Sequence, residues 1–212
     1  RPPRSTLFPY TTLFRSTFKN GVPVAFSTLP VGGINITKDI TQGLTTSFAH
    51  AEDLKNRHGC AFLVSHDDYE NINVYPLGEE DDSSIRQMHR SDLIKIIAPR
   101  VEEIFEMVAR KLAQQGLQNH QNHRVVLTGG CSQLPGIRDV AAYILDKQVR
   151  LGGPRNIQGI PEIINNPTFS TALGLLYLAT TNAERKPKKI VNRPVGEGGC
   201  LTKIFNWIRQ NS

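Results

Sequence analysis

The sequence predicts an α/β fold, and three observations carry that expectation. The stretch Val125-Val126-Leu127-Thr128-Gly129-Gly130-Cys131-Ser132-Gln133-Leu134-Pro135-Gly136 reads as a buried strand running into two glycines and a Pro-Gly corner ahead of a helix. Two glycines at a strand end let the chain turn sharply and let bare backbone approach a flat ligand that a Cβ would push away. Thr17-Phe18-Lys19 and the run Val22 to Leu29 flank Asn20-Gly21, a pair whose tolerance of positive φ favours a two-residue hairpin turn. From Arg90 to Gln115, the residues Leu93, Ile94, Ile97, Val101, Ile104, Phe105, Val108 and Leu112 recur at helical spacing on one side of a long helix.

In chain order, residues 1–16 place Ser5-Thr6-Leu7-Phe8 and Thr11-Thr12-Leu13-Phe14-Arg15-Ser16 on either side of Pro9-Tyr10. No fold logic accounts for this near-repeat, which resembles translated sequencing-adaptor DNA. The stretch is therefore read as a non-native leader outside the fold. A first segment, 17–39, holds the hairpin and leads through Leu29-Pro30 into Gly32-Gly33. A second, 40–122, reads as an inserted subdomain. It is expected to have helix over Thr41 to His58, short strands at Cys60 to Val64 and Asn71 to Tyr75, and then the long helix, which Pro99 should kink or restart. The acidic run Glu79 to Asp82 reads as a solvated loop. So does the polar run Gln118 to His123, where His120 and His123 have a possible metal-ligand spacing but sit among surface residues. A third segment, 123–180, carries the glycine turn. Cys131, Ser132 and Gln133 fall where a helix N-terminus would present free N–H groups, so the turn reads as nucleotide-binding, with a plain tight turn as the alternative.

The remaining residues divide in two. Thr181 to Gly199 has Arg185, Lys186, Lys188, Lys189 and Arg193 against Glu184 and Glu197, with Pro187 and Pro194 and almost nothing to bury. Such composition predicts a basic flexible linker, 181–199. In 200–212, Leu201, Ile204, Phe205 and Ile208 fall at i, i+3, i+4 and i+7, with Lys203, Asn206 and Arg209 off the stripe and Trp207 on its rim. A short helix with this pattern suits a membrane interface, with the lysine snorkelling and the linker cations adding attraction to anionic lipid. A terminal helix packed on its own domain is the alternative.

Composition narrows the function classes. With 212 residues and 39% hydrophobic content, the chain can bury one full domain plus a smaller one. A net charge of +6 and a pI near 9.4 fit nucleic acid or membrane equally. Much of the excess sits in the linker and tail, and neither aromatic-basic interleaving nor a helix-turn-helix pattern occurs, so lipid is expected and nucleic acid is not. Cys60, Cys131 and Cys200 are far apart without Cys-x-x-Cys spacing, which reads as the reduced thiols of a cytosolic chain. No apolar run reaches the roughly 20 residues that span a bilayer.

The segment Val125 to Leu178 includes Gln148-Val149-Arg150-Leu151-Gly152, Asn165-Asn166-Pro167 and Ser170-Thr171-Ala172-Leu173-Gly174-Leu175-Leu176. It resembles the adenosine-motif end of the bacterial cell division protein FtsA family, actin-fold ATPase homologues. Leu29-Pro30-Val31-Gly32-Gly33, Ile36-Thr37-Lys38-Asp39-Ile40, Ala51-Glu52-Asp53-Leu54-Lys55 and Gly59-Cys60-Ala61 resemble the same family in the same order. The resemblance implies an actin-like (ribonuclease H-like) fold and a C-terminal half, with the family's phosphate loop upstream of the residues in hand. ATP with Mg²⁺ is the implied cofactor, and weak ATP binding or none is expected of the adenosine side alone.

By resemblance, Glu52 and Lys55 touch ribose and adenine from one helix face, Gly129, Gly130, Cys131 and Gln133 approach base and ribose, and Gly32 and Gly33 approach the phosphates. An exposed ion pair explains Glu52 and Lys55 as well, and a tight turn explains Gly32 and Gly33. Cys131 stands where the family pattern has glycine or alanine. The inserted subdomain is implied to receive the acidic C-terminal peptide of FtsZ, with Arg86, Arg90 and Arg100 as candidate cations and solvated surface arginine as the alternative. The implied function is an adaptor that tethers FtsZ filaments to the cytoplasmic membrane at the division septum, as a peripheral membrane protein. Self-association into actin-like filaments and other divisome proteins as partners are implied with it. A different actin-fold ATPase or kinase is the competing class.

Overall fold

A computed structural model describes residues 13–65, 68–78, 85–116, 124–154 and 161–183. β1 (Leu13–Lys19) and β2 (Val22–Leu29) form an antiparallel hairpin closed at Asn20 and Gly21, whose φ values of 53° and 78° are those the Asn-Gly pair supplies cheaply. The pairing runs from Lys19 opposite Val22 to Leu13 opposite Leu29. The last four residues of the stretch set aside as a leader therefore belong to the ladder. A boundary at 16/17 has no counterpart in the strand, because Leu13, Arg15 and Thr17 alternate onto the same half-buried face.

α1 (Gly33–Leu44) starts well ahead of the expected Thr41, so the boundary at 39/40 falls inside a helix. Gly32 N–H donates to Asn35 Oδ1 at 3.0 Å and caps its first turn. Thr41 to His58 is two helices rather than one. Thr45 adopts a left-handed φ of 51° after α1, and Ser47 Oγ accepts from His50 N at the start of α2 (Phe48–His58).

Cys60 to Val64 is not a strand. Ala61 N–H donates to Pro135 O at 2.9 Å and the segment otherwise makes no ladder, leaving Phe62 and Leu63 exposed. β3 (Asn71–Val74) pairs with β4 (Arg86–His89) antiparallel. α3 (Arg90–Gln114) continues through Pro99 without a restart. Pro99 is exposed, on the side of α3 where a carbonyl that loses its intrahelical donor can turn to solvent.

β5 (Arg124–Leu127) and β6 (Gln148–Leu151) are parallel, with the turn at Gly130–Gln133 and α4 (Ile137–Leu145) between them. β5 is half-buried rather than buried, with Val126 exposed. α5 (Ser170–Ala183) extends past the expected linker start at Thr181.

The core gathers Ile36 and Ile40 of α1, Leu54 of α2, Ile72 and Val74 of β3, Leu93, Ile97 and Val101 of α3, and Ile137 and Ala141 of α4. Fully burying a side chain of this size contributes about 1.5–3 kcal/mol. The core thus locks α1, α2 and α3 into one frame for the groups they carry. Contacts divide the chain into residues 1–173 and 174–212. The expected loops at Glu79–Asp82 and Gln118–His123, the linker from residue 184 and the helix 200–212 lie outside the described residues. Among the described residues no helix is long and apolar enough to cross a membrane.

Candidate functional site

The N-terminus of α1, the middle of α2 and the turn after β5 meet at Gly33. A Cβ at this position would sit 3.2 Å from both Cβ and Sγ of Cys131 and 3.9 Å from Lys55 Nζ. Glycine is therefore what lets the two glycine turns touch. The Lys55 ammonium, buried, donates to Glu52 Oε2 at 2.7 Å, to Thr37 Oγ1 at 2.8 Å and to Gly33 O at 3.4 Å. The Thr37 hydroxyl lies 2.5 Å from the same Glu52 oxygen. Glu52 and Lys55 are thus a half-buried pair and not the exposed ion pair that the i, i+3 spacing also allowed.

Burial pushes the Glu52 carboxyl up, but hydrogen bonds from Lys55, Thr37 and Asn56 with the Lys55 charge outweigh it, so its pKa lies below the usual carboxylate value. For Cys131, burial pushes the thiol up, Lys55 opposes and Glu52 adds to the rise. The group at the junction is accordingly a neutral thiol that packs, not a thiolate nucleophile.

The turn itself is held from behind. Gly129, at φ +91°, donates its N–H to Pro167 O at 3.1 Å, and the buried Ser132 donates Oγ–H to Gly129 O at 2.7 Å. Gly130 faces Thr168, and the Thr128 and Ser170 hydroxyls are 2.8 Å apart. Gln133 is exposed, with Nε2 3.4 Å from Ser132 Oγ. The structure therefore gathers Gly33, Glu52, Lys55 and Cys131 at one point, with Gly32, Gly129 and Gly130 in the flanking turns and Gln133 at the outer end. Sequence reasoning missed Thr37, although it follows Gly33 by one helical turn and so had to share its face.

The arginines are internally engaged. Arg86 donates to Leu44 O at 2.6 Å, at the C-terminus of α1. Arg90 donates to His58 O at 2.7 Å and to Glu70 Oε2 at 3.2 Å. Arg100 grips both carboxylate oxygens of Asp39, at 2.5 and 3.0 Å, and also reaches Glu103. It lies ten residues beyond Arg90, about 15 Å along the helix, so the three do not converge. No group of three or more potential metal-ligating side chains occurs among the described residues.

The family model described as cell division protein FtsA matches residues 11–174. The chain belongs to the FtsA family. The match begins inside the stretch read as a leader. Cell division protein FtsA of Agrobacterium fabrum is 33% identical over 199 residues, covering 92% of this chain and 45% of its own length. The Rhizobium meliloti protein is 37% identical over 161 residues, covering 76% and 36%, and that of Escherichia coli K12 is 33% identical over 194 residues, covering 86% and 44%. This FtsA-family chain spans less than half the length of these curated relatives.

Among solved structures, MreB5 of Spiroplasma citri bound to ADP aligns with a TM-score of 0.59 at 13% identity, covering 83% of this chain and 53% of that one. A chain of the PilM-PilN type IV pilus biogenesis complex aligns with a TM-score of 0.56 at 18% identity, covering 80% and 43%. The fold is accordingly actin-like, as the sequence predicted.

Proposed function

We propose that this FtsA-family chain is part of an adaptor that tethers FtsZ filaments to the cytoplasmic membrane, and that its Gly33–Glu52–Lys55–Cys131 junction is the adenosine side of an ATP site. The observation that carries the nucleotide reading is the convergence of both glycine turns on a charged pair fixed in a half-buried position. Bare backbone at Gly129 and Gly130 admits a flat base, and an ionised Glu52 accepts from ribose hydroxyls. Gly32 and Gly33, at the start of α1, are on the side suited to phosphate, and Mg²⁺ would accompany the phosphates rather than these residues. That MreB5, which shares the fold, is bound to ADP supports a nucleotide reading.

For the FtsZ tail, Arg86 is the best-placed cation. It stands by Leu44 at the break between α1 and α2, where Leu77 N–H donates to Thr45 O and Phe48, Tyr75 and Leu77 are exposed apolar neighbours. An acidic peptide with apolar side chains fits such a surface. Leu201, Ile204, Phe205 and Ile208, with Lys203, Trp207 and Arg209, would supply the lipid contact. Self-association and contacts with other division proteins complete the adaptor role.

Saturation-transfer NMR with ATP tests the nucleotide reading. The adenine and ribose protons should receive saturation, with a Kd of about 0.1–1 mM as expected for contacts from one side only, and Glu52→Ala should abolish the ribose signal. No transfer at millimolar ATP, or a ribose signal unchanged in Glu52→Ala, would refute it.

A further inference from the structure

We propose that Thr37 is the positioning residue of this site, holding Lys55 and Glu52 in register so that Glu52 presents its remaining acceptor capacity to the ligand. The inference rests on the nucleotide reading above and names the residue that fixes its charged pair. An ammonium has three donors. Those of Lys55 are directed at Glu52 Oε2, Thr37 Oγ1 and, at 3.4 Å, Gly33 O, and its side chain is 9% exposed, so its donors are engaged within the cluster. The Glu52 side chain is 41% exposed. A carboxylate has about four acceptor positions, and Lys55, Thr37 and Asn56 account for three. The remaining capacity is available to a hydroxyl donor.

Thr37 makes this geometry possible. It is fully buried on α1, its oxygen accepts from Lys55 and its one proton is shared between Glu52 Oε2 at 2.5 Å and Gly33 O at 3.2 Å. A hydroxyl, acting as donor and acceptor at once, joins cation and anion where an apolar residue of the same shape would leave both underbonded. Lys55 then rotates toward the ligand space or water, and Glu52 loses the contact that fixes its outward oxygen.

Thr37→Val keeps the volume and removes the hydroxyl, while Thr37→Ser keeps the hydroxyl, so the two variants separate packing from hydrogen bonding. The full chain is titrated with ATP by NMR, and Lys55 labelling by reductive methylation is followed by mass spectrometry without nucleotide. The expected result is an ATP affinity about tenfold weaker in Thr37→Val, faster Lys55 methylation in that variant, and recovery of both in Thr37→Ser at wild-type Tm. Wild-type affinity and wild-type Lys55 protection in Thr37→Val would overturn the inference, since a residue that only fills the core gives that result. If wild type itself shows no ATP contact, the nucleotide reading fails and the assignment of Glu52 fails with it. The methylation rates then still decide whether Thr37 holds Lys55.

Discussion

Replacing Arg100 distinguishes a partner-binding arginine from one that fastens the fold. Its guanidinium takes both oxygens of Asp39 and bridges α3 to α1, with the two side chains 28% and 27% exposed. A bidentate pair at that depth is worth more than a surface pair, about 1–2 kcal/mol. Arg100→Ala also leaves Asp39 without its partner. The coupling in a double-mutant cycle of Arg100→Ala, Asp39→Ala and both should therefore be about 1 kcal/mol. For a chain of this size each kcal/mol lowers Tm by about 2–4 °C, so thermal melts read the single variants and chemical denaturation reads the cycle. Binding of an acidic FtsZ-tail peptide, measured well below Tm, completes the test. If Arg100 acts through the fold, Arg100→Ala and Asp39→Ala change the peptide Kd alike. If Arg100 touches the peptide, Asp39→Ala frees it and strengthens binding while Arg100→Ala weakens it. A coupling below about 0.3 kcal/mol would refute the structural role, because the pair would then be behaving as a solvated one.

Three further outcomes are expected. Gly136 has φ +76°, and a Cβ there would lie 2.5 Å from the Phe62 ring; Gly136→Ala should cost about 2 kcal/mol, and an unchanged denaturation midpoint would contradict this. Because the Glu52 pKa lies below its ordinary value of 4.5, its stabilisation is full above that pH and lost as pH falls through the lower folded value. Glu52→Gln should flatten the acid limb of the stability curve by less than about 1 kcal/mol, given the half-exposed carboxylate; an identical acid limb in both proteins would show the pair to be uncoupled. Vesicle co-sedimentation should show binding to anionic liposomes with a blue shift of Trp207, the single tryptophan, lost when Phe205 and Trp207 become glutamate or the chain is cut after Gly199; equal pelleting of the shortened chain would remove the tail as the anchor.

What could be read from the sequence followed from local rules. The hairpin was legible because Asn20-Gly21 supplies the turn and the strands alternate, and α3 was legible because its apolar stripe is long enough to leave no choice of period. Glu52 and Lys55 could be paired from their i, i+3 spacing. The failures mark where distant contacts decide. Cys60 to Val64 has strand-like composition, but its fate is set by Pro135 and by Gly136, whose missing side chain makes room for Phe62. The break at Thr45 carries no glycine or proline, so only the Ser47 cap announced it. Thr37 looks like any helical threonine until α2 is laid beside α1.

The arginines show why charge alone does not name a partner site. Arg100 and Asp39 are 61 residues apart, a separation at which no sequence pattern pairs them. Once paired, each satisfies most of the other, which lowers what either can gain from an incoming peptide. Arg86 differs in kind: it donates to a helix carbonyl, a neutral acceptor, and forms no carboxylate pair among the described residues. An acidic peptide docking here should therefore be governed by Arg86. Arg86→Glu should weaken binding more than the same change at Arg90, and the affinity should fall as salt rises. If charge reversal at Arg90 proves the more damaging, or if both leave the affinity unchanged, the docking surface lies elsewhere.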